Sequence, residues 1–241
     1  MPPPPVATSR RAALVLRLGI GALLLIVAAA LFGAIAEDVV SSDRLTVLDV
    51  EIARWLRAHA TPELTRWMLW LTDLHSTVAV SCYAAVAGAV LARRRHWRHL
   101  TTVFVVVGGG LTLNVLMKLA FHRARPVLDD PLLTLTSYSF PSGHVAGSTL
   151  MYGLVVAWVF TRTRRPLVRV AVVGAAAAAI ALVAFTRMYL GVHYLSDVAA
   201  AFAEGVAWLA LCLSALTAFW HRAPLAPEAP ARAADSPAVA R

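Results

Sequence analysis

Cysteine and charge are both scarce in this chain. Its two cysteines, Cys82 and Cys212, lie in apolar stretches without metal-ligand spacing. They read as packing residues and carry little information about redox compartment. Charged residues make up 15% of the 241 residues, against about a quarter in soluble domains. No internal repeat is evident, and no His/Cys/Asp cluster has the spacing of a metal site. What is abundant is apolar sequence: 59% of residues are hydrophobic and the mean hydropathy is +0.70. The net charge of +9 does not mark a nucleic-acid binder, because the arginines form no single basic face. They fall in blocks between apolar runs, which is a topology signal.

A membrane-spanning helix needs roughly 20 apolar residues. On that ruler the sequence predicts six spans, at about 12–36, 67–92, 100–121, 143–161, 167–186 and 192–219. The fold class expected is all-α, a polytopic bundle of six transmembrane helices occupying residues 12–220. Residues 1–11, opening with Pro2 to Pro5, and the Ala/Pro-rich stretch 221–241 are expected to be disordered tails. Ala34-Ile35-Ala36 before Glu37 resembles a signal-peptidase site. The preceding apolar run is longer than a signal core, and reads as an uncleaved anchor.

Arginine blocks at 10–17, 93–98, 162–169 and 222 all fall on one side of this layout. The positive-inside rule makes that side cytoplasmic, with both termini there. Most acidic residues, including Asp38, Asp43, Asp49 and Glu51, fall on the other side. Between the first two spans, Leu48, Ile52, Trp55 and Leu56 recur at helical spacing, with Asp49, Glu51, Arg54 and Arg57 opposite. This predicts an amphipathic helix lying on the outer surface or packing on the bundle.

Three polar clusters interrupt the apolar pattern at the edges of spans, where ionisable groups are costly. Lys118 lies near the outer end of the third span, and Arg125-Pro126 follows it in the loop. A guanidinium grips phosphate oxygens with a fork, and a lysine adds a point charge. Pro141-Ser142-Gly143 precedes a helix whose first turn holds His144. Backbone N–H groups there, a permissive glycine and a serine hydroxyl suit a phosphate oxygen, and His144 suits general acid chemistry. Arg187, His193 and Asp197 form the third cluster. His193 and Asp197 are four residues apart, so on a helix they share a face. A carboxylate on one imidazole nitrogen leaves the other lone pair free for nucleophilic attack. Taken singly, each cluster is equally explained as a helix cap or as snorkelling interfacial cations. Layout puts all three on the same outer side.

Together the clusters resemble the type 2 phosphatidic acid phosphatase (PAP2) family, the lipid phosphate phosphatases, which share their core with bacterial acid phosphatases and vanadium haloperoxidases. The family pattern is Lys, six residues, Arg-Pro; then Pro-Ser-Gly-His; then Ser-Arg, five residues, His, three residues, Asp. The chain departs from it once, with Thr186 where serine is usual. The resemblance covers about residues 50–215. It implies an integral membrane enzyme without cofactor or metal, hydrolysing a lipid phosphate or diphosphate such as undecaprenyl diphosphate, phosphatidylglycerol phosphate or phosphatidate. His193 would be the nucleophile, forming a phosphohistidine, with Asp197 orienting it. His144 would protonate the leaving group and then activate water. Lys118, Arg125, Arg187, Ser142 and Gly143 would hold the phosphate. The partners implied are a lipid substrate and the bilayer, with the site on the outer face of a cell (inner) membrane. Competing readings are a phosphotransferase on the same scaffold and a non-catalytic anion-binding or transport protein. Asp73 and His75 could approach the site or the head group, but packing or hydration is expected of them; His122 and Arg123 could tune specificity, but interfacial solvation is expected; His96 and His99 are expected to be solvated. Glu204, inside the sixth span, is expected to have a partner or a wet cavity, though the sequence names neither. The loop 127–140 is expected to select substrate.

Overall fold

The computed structural model describes residues 6–128 and 130–222. Of the two expected tails, residues 1–5 and 223–241 lie outside these residues, while residues 6–11, expected to be disordered, already belong to the first helix, and 221–222 to the last. Among the described residues the chain is all helical, without a strand. In order these are α1 (Val6–Ser41), α2 (Arg44–Ala58), α3 (Pro62–Leu74), α4 (Thr77–Arg93), α5 (Trp97–Val103), a π-helical turn (Phe104–Gly108), α6 (Gly109–Phe121), α7 (Gly143–Arg162), α8 (Pro166–Tyr189) and α9 (Leu195–Arg222). Among the described residues, six segments are long and apolar enough to cross a membrane. The protein is a multi-pass membrane bundle.

Two spans are less regular than the apolar pattern suggests. The second is broken into α3 and α4 at His75-Ser76. Ser76 caps α4 by accepting from the Ala79 N–H at 3.1 Å, and a fresh N-cap restarts the helix even inside an apolar stretch. The third contains the π turn, which frees carbonyls from the α-helical ladder. Trp208 of α9 donates its indole N–H to Val106 at 3.0 Å, so the wide turn is satisfied from a neighbouring span.

Small residues let α7, α8 and α9 approach closely. A Cβ on Gly205 of α9 would come within 2.8 Å of the Thr149 side chain on α7. Val145, Ala146, Ile180, Val183, Val198 and Ala201 form the dry seam between these helices. Small residues at such contacts are the usual solution where lipid removes the hydrophobic drive for helix association. The first span, α1, lies along α9. Its end buries Ile35 and Ala36 against Phe140 and Ala200. Phe140 also meets Phe121 edge-on, with ring centroids 4.9 Å apart. That aromatic plug fixes the chain just ahead of Pro141.

The amphipathic helix α2 forms, but it rolls differently from the expectation. Asp49, Ala53 and Leu56 are its buried residues, while Trp55, assigned to the inner face, is 60% exposed. A carboxylate assigned to the solvent side points into the protein instead. The basic connections 94–96 and 163–165 lie at one end of the bundle. The loop 122–142 and the turn between α8 and α9 lie at the other.

Candidate active site

The three polar clusters converge at that second end. The α8–α9 turn does much of the placing. Gly191 takes φ +70°, and a side chain there would run 2.6 Å from Leu128. Only glycine adopts this backbone without strain. The reversal sets Arg187, in the last turn of α8, close behind His193, just ahead of α9.

His193 Nδ1 stands 3.3 Å from Asp197 Oδ2. The same carboxylate oxygen accepts from the Tyr194 N–H at 2.9 Å. On the far side of the ring, Arg125 Nη1 lies 3.3 Å from Nε2. A guanidinium can only donate. The contacts therefore favour one tautomer: N–H at Nδ1 toward Asp197, lone pair at Nε2. Burial pushes the His193 imidazole down to about 3, with the Asp197 hydrogen bond opposing it. At neutral pH it is an uncharged base.

Ser142 begins α7 and ties the second cluster to the third, its N–H donating to the Asp197 carbonyl at 3.1 Å. Its hydroxyl is fully buried and has no protein partner among the described residues. Gly143 is packed so closely that a Cβ would sit 3.2 Å from Asn114 Oδ1 and 3.3 Å from Thr77 Oγ1. His144, in the first turn of α7, lies among Arg187, His193, Arg125 and Lys118.

The cations differ in availability. Lys118 donates to the Tyr138 carbonyl at 2.8 Å and the Ser139 carbonyl at 3.3 Å. Arg125 donates to the Ser137 carbonyl at 2.7 Å, Ser137 Oγ at 3.0 Å, the Tyr138 carbonyl at 3.2 Å and the Val192 carbonyl at 2.6 Å. With the longer approach to His193, every N–H of its fork is engaged. Burial holds Arg125 below its ordinary value, partly offset by Asp197. Arg187 is the freer group. It donates from Nη1 to Thr72 Oγ1 at 2.7 Å, and its buried Nε has no protein partner among the described residues. An unpaired buried donor is costly. Two such orphans, Arg187 Nε and Ser142 Oγ, among converging cations leave donors free to meet anionic oxygens.

Arg123, expected to be merely solvated, instead bridges two buried carboxylates. Its Nη1 meets Asp197 Oδ1 at 2.6 Å and Ser196 Oγ at 2.6 Å, and its Nη2 meets Asp49 Oδ2 at 2.8 Å. Its guanidinium also covers the Tyr194 ring, 4.5 Å from the centroid. Burial alone would lower its pKa, but Asp197 and Asp49 outweigh burial and hold it above the ordinary value. Periodicity offered no signal for this pair, since Asp49 and Arg123 lie far apart in sequence.

Of the other residues set aside as packing or solvation, His122 is exposed. It stands edge-on to Tyr138. His75 bonds the Tyr152 hydroxyl at 2.8 Å. Glu204 does have a partner, Asn114 Nδ2 at 2.8 Å. Thr186, the one departure from the motif, donates its hydroxyl to the Val183 carbonyl at 2.7 Å. That donor is spent on its own helix.

A six-span bundle closing over a His–Asp pair and a nest of cations defines a phosphate-handling membrane protein. The chain belongs to the PAP2 superfamily, whose family model matches residues 98–220. It is 29% identical over 151 residues to phosphatidylglycerophosphatase B of Bacillus subtilis (strain 168), covering 60% of this chain and 71% of that one. The crystal structure of a transmembrane PAP2-type phosphatidylglycerolphosphate phosphatase from Bacillus subtilis superposes with a TM-score of 0.65. It is 25% identical, over 85% of this chain and 97% of that one. Aquifex aeolicus LpxE shares the fold, with a TM-score of 0.53 and 20% identity over 69% of this chain and 94% of its own.

Proposed function

We propose that this PAP2-type membrane phosphatase hydrolyses a lipid phosphate or diphosphate through a phosphohistidine on His193. The observation that carries the reading is the pairing of a lone-pair Nε2 on His193 with the orphaned Arg187 Nε and Ser142 Oγ. They supply a nucleophile and donors for the oxygens of the group it attacks.

In the first half-reaction His193 Nε2 attacks phosphorus. A P–N bond forms, the P–O bond to the lipid breaks, and the leaving oxygen takes a proton from His144. Asp197 stabilises the positive charge that develops on the imidazole. In the second, His144 takes a proton from water, the water oxygen attacks phosphorus, and the P–N bond breaks. Inorganic phosphate leaves and both histidines return to their starting state. Lys118, Arg125, Arg187, Ser142 and the Gly143 N–H hold the oxygens throughout. Phosphoryl transfer is driven largely by positioning and charge stabilisation, and fixed cations supply both here. The activity is therefore proposed to be independent of added divalent metal.

The arginine blocks at the opposite end of the bundle support an orientation with both termini cytoplasmic and the site on the outer face of the cell membrane. The substrate's tail would then stay in lipid while its head group enters the cation nest. Phosphatidylglycerol phosphate is favoured by the Bacillus relatives, with undecaprenyl diphosphate and phosphatidate as the other candidates.

The test is turnover of these three lipids by purified protein in detergent containing chelator. Expected are phosphate release without metal, inhibition by vanadate, and a His193→Ala variant that folds but does not turn over. Activity that vanishes with chelator and returns with Mg²⁺ would refute the metal-independent mechanism. Wild-type turnover by His193→Ala would refute the nucleophile.

A further inference from the structure

Arg123 and Asp49 lie outside the phosphate seat, yet they join directly to the carboxylate that orients His193. Both carboxylate side chains are fully buried, and the guanidinium between them is 13% exposed. Asp49 is held from two further directions. Its Oδ1 accepts from the Ser196 N–H at 2.9 Å, and its Oδ2 accepts from the Ser196 hydroxyl. The result is a line running Asp49, Arg123, Asp197, alternating in charge and ending on the neutral His193 imidazole. We propose that Arg123 and Asp49 are a positioning pair for the reaction, fixing Asp197 and preserving its negative charge for the His193 imidazolium.

The electrostatic reason lies in how one guanidinium is divided. If Arg123 faced Asp197 alone, its charge would neutralise the carboxylate, and little would remain to stabilise a cationic imidazole. Asp49 takes the other nitrogen. The trio Asp49, Arg123 and Asp197 then carries one net negative charge, displayed at the His193 end. The geometric reason is as direct. Asp197 Oδ1 is fixed by Arg123, and Oδ2 is left to the Tyr194 N–H and the His193 ring. The carboxylate cannot swing without breaking a charged hydrogen bond in a dry site, where such bonds are strong. Helix α2, outside the residues matched by the family model, thereby becomes part of the catalytic apparatus without touching substrate.

A clasp that merely ties α2 to α9 would have the same contacts, so the test must separate the two. This inference rests on the phosphohistidine reading above. The experiment uses the full chain in detergent, with dioctanoyl phosphatidate as the probe and vanadate as the phosphate mimic. Asp49→Asn keeps the shape and removes the charge. It is expected to lower kcat roughly 10- to 100-fold, the scale of a charge-assisted hydrogen bond. KM and the vanadate inhibition constant should stay within about threefold, because the phosphate-holding groups are intact. In an Arg123→Gln background, Asp49→Asn should add no further loss, since it acts only through the guanidinium. Asp49→Glu should recover part of kcat, and Glu51→Gln, on the exposed side of α2, should change nothing.

Wild-type kcat in folded Asp49→Asn overturns the proposal, as do losses that multiply in the double variant. So does a fall in melting temperature with kcat per folded molecule unchanged. If Asp49→Asn does not fold, Arg123→Lys keeps the charge but not the fork, and the same kcat-without-KM loss is required of it. Wild-type turnover in His193→Ala would remove the phosphohistidine reading and this one with it. Loss in His193→Ala beside full kcat in Asp49→Asn removes the positioning pair alone.

Discussion

Arg125 Nη1 stands 3.3 Å from His193 Nε2, so a fixed cation guards the nitrogen assigned to attack phosphorus. A donor in that position keeps the lone pair in place and repels a proton. On the proposed mechanism it would also meet a phosphoryl oxygen as phosphorus comes within reach of the ring.

The role of Arg125 is testable by conservative replacement. Arg125→Lys retains charge but cannot span the Ser137, Tyr138 and Val192 carbonyls with one planar fork. It is expected to raise KM about tenfold or more, with a smaller fall in kcat, in steady-state assays on a detergent-solubilised lipid phosphate. An unchanged KM would show that the fork shapes only the loop.

The buried imidazole makes stability depend on pH. His193 is held down to about 3 in the folded protein by burial, with Asp197 opposing, and an unfolded histidine titrates near about 6.5. Between these values the unfolded chain binds the extra proton. Folded-state stability is therefore full above about pH 6.5 and falls as pH drops toward about 3, by at most about 1.4 kcal/mol per pH unit from this group. Thermal unfolding between pH 4 and 8 should be less steeply pH-dependent in His193→Gln than in the wild type. Identical slopes would contradict the assignment.

Thr186→Ser should be close to silent. The hydroxyl already bonds the Val183 carbonyl, and serine can do the same. The loss of one buried methyl should cost about 1 kcal/mol, read as a small drop in melting temperature. Turnover should stay within about threefold of wild type. A large kinetic effect would mean that the side chain reaches the phosphate.

Asn114→Ala should be destabilising. It strips Glu204 of its side-chain partner, where the other carboxylate oxygen already has none among the described residues. Leaving a buried polar group unpaired costs about 1–3 kcal/mol. Adding Glu204→Gln should recover part of the loss, measured by thermal unfolding in detergent. No recovery would show that the damage is a packing defect at Gly143.

The six spans and the meeting of the three polar clusters at one end of the bundle were legible because each rests on a local signal. Apolar length marks a span, and short spacings such as His193 to Asp197 mark a shared helix face. The break at His75-Ser76 was hidden because apolar content is continuous across it, and only the capping serine restarts the ladder. The Asp49–Arg123 pair was hidden for a different reason. Helical periodicity sorts residues into apolar and polar faces, and it treats a carboxylate facing a buried guanidinium like one facing water. Asp49 was therefore assigned to solvent and Arg123 to interfacial solvation. Both errors have one cause: a charge's partner can come from anywhere in the chain.

If Lys118 and Arg125 hold phosphate as proposed, the carbonyls of Ser137, Tyr138 and Ser139 carry a kinetic consequence. They occupy Lys118 and Arg125 as internal ligands, so an arriving head group must trade places with backbone dipoles. Binding strength is then a difference between two sets of contacts, and weak anions gain little by the exchange. When phosphate departs, the same carbonyls are at hand to reclaim the cations. A loop wired in this way works against product inhibition, and turnover is helped by the very contacts that substrate must first displace.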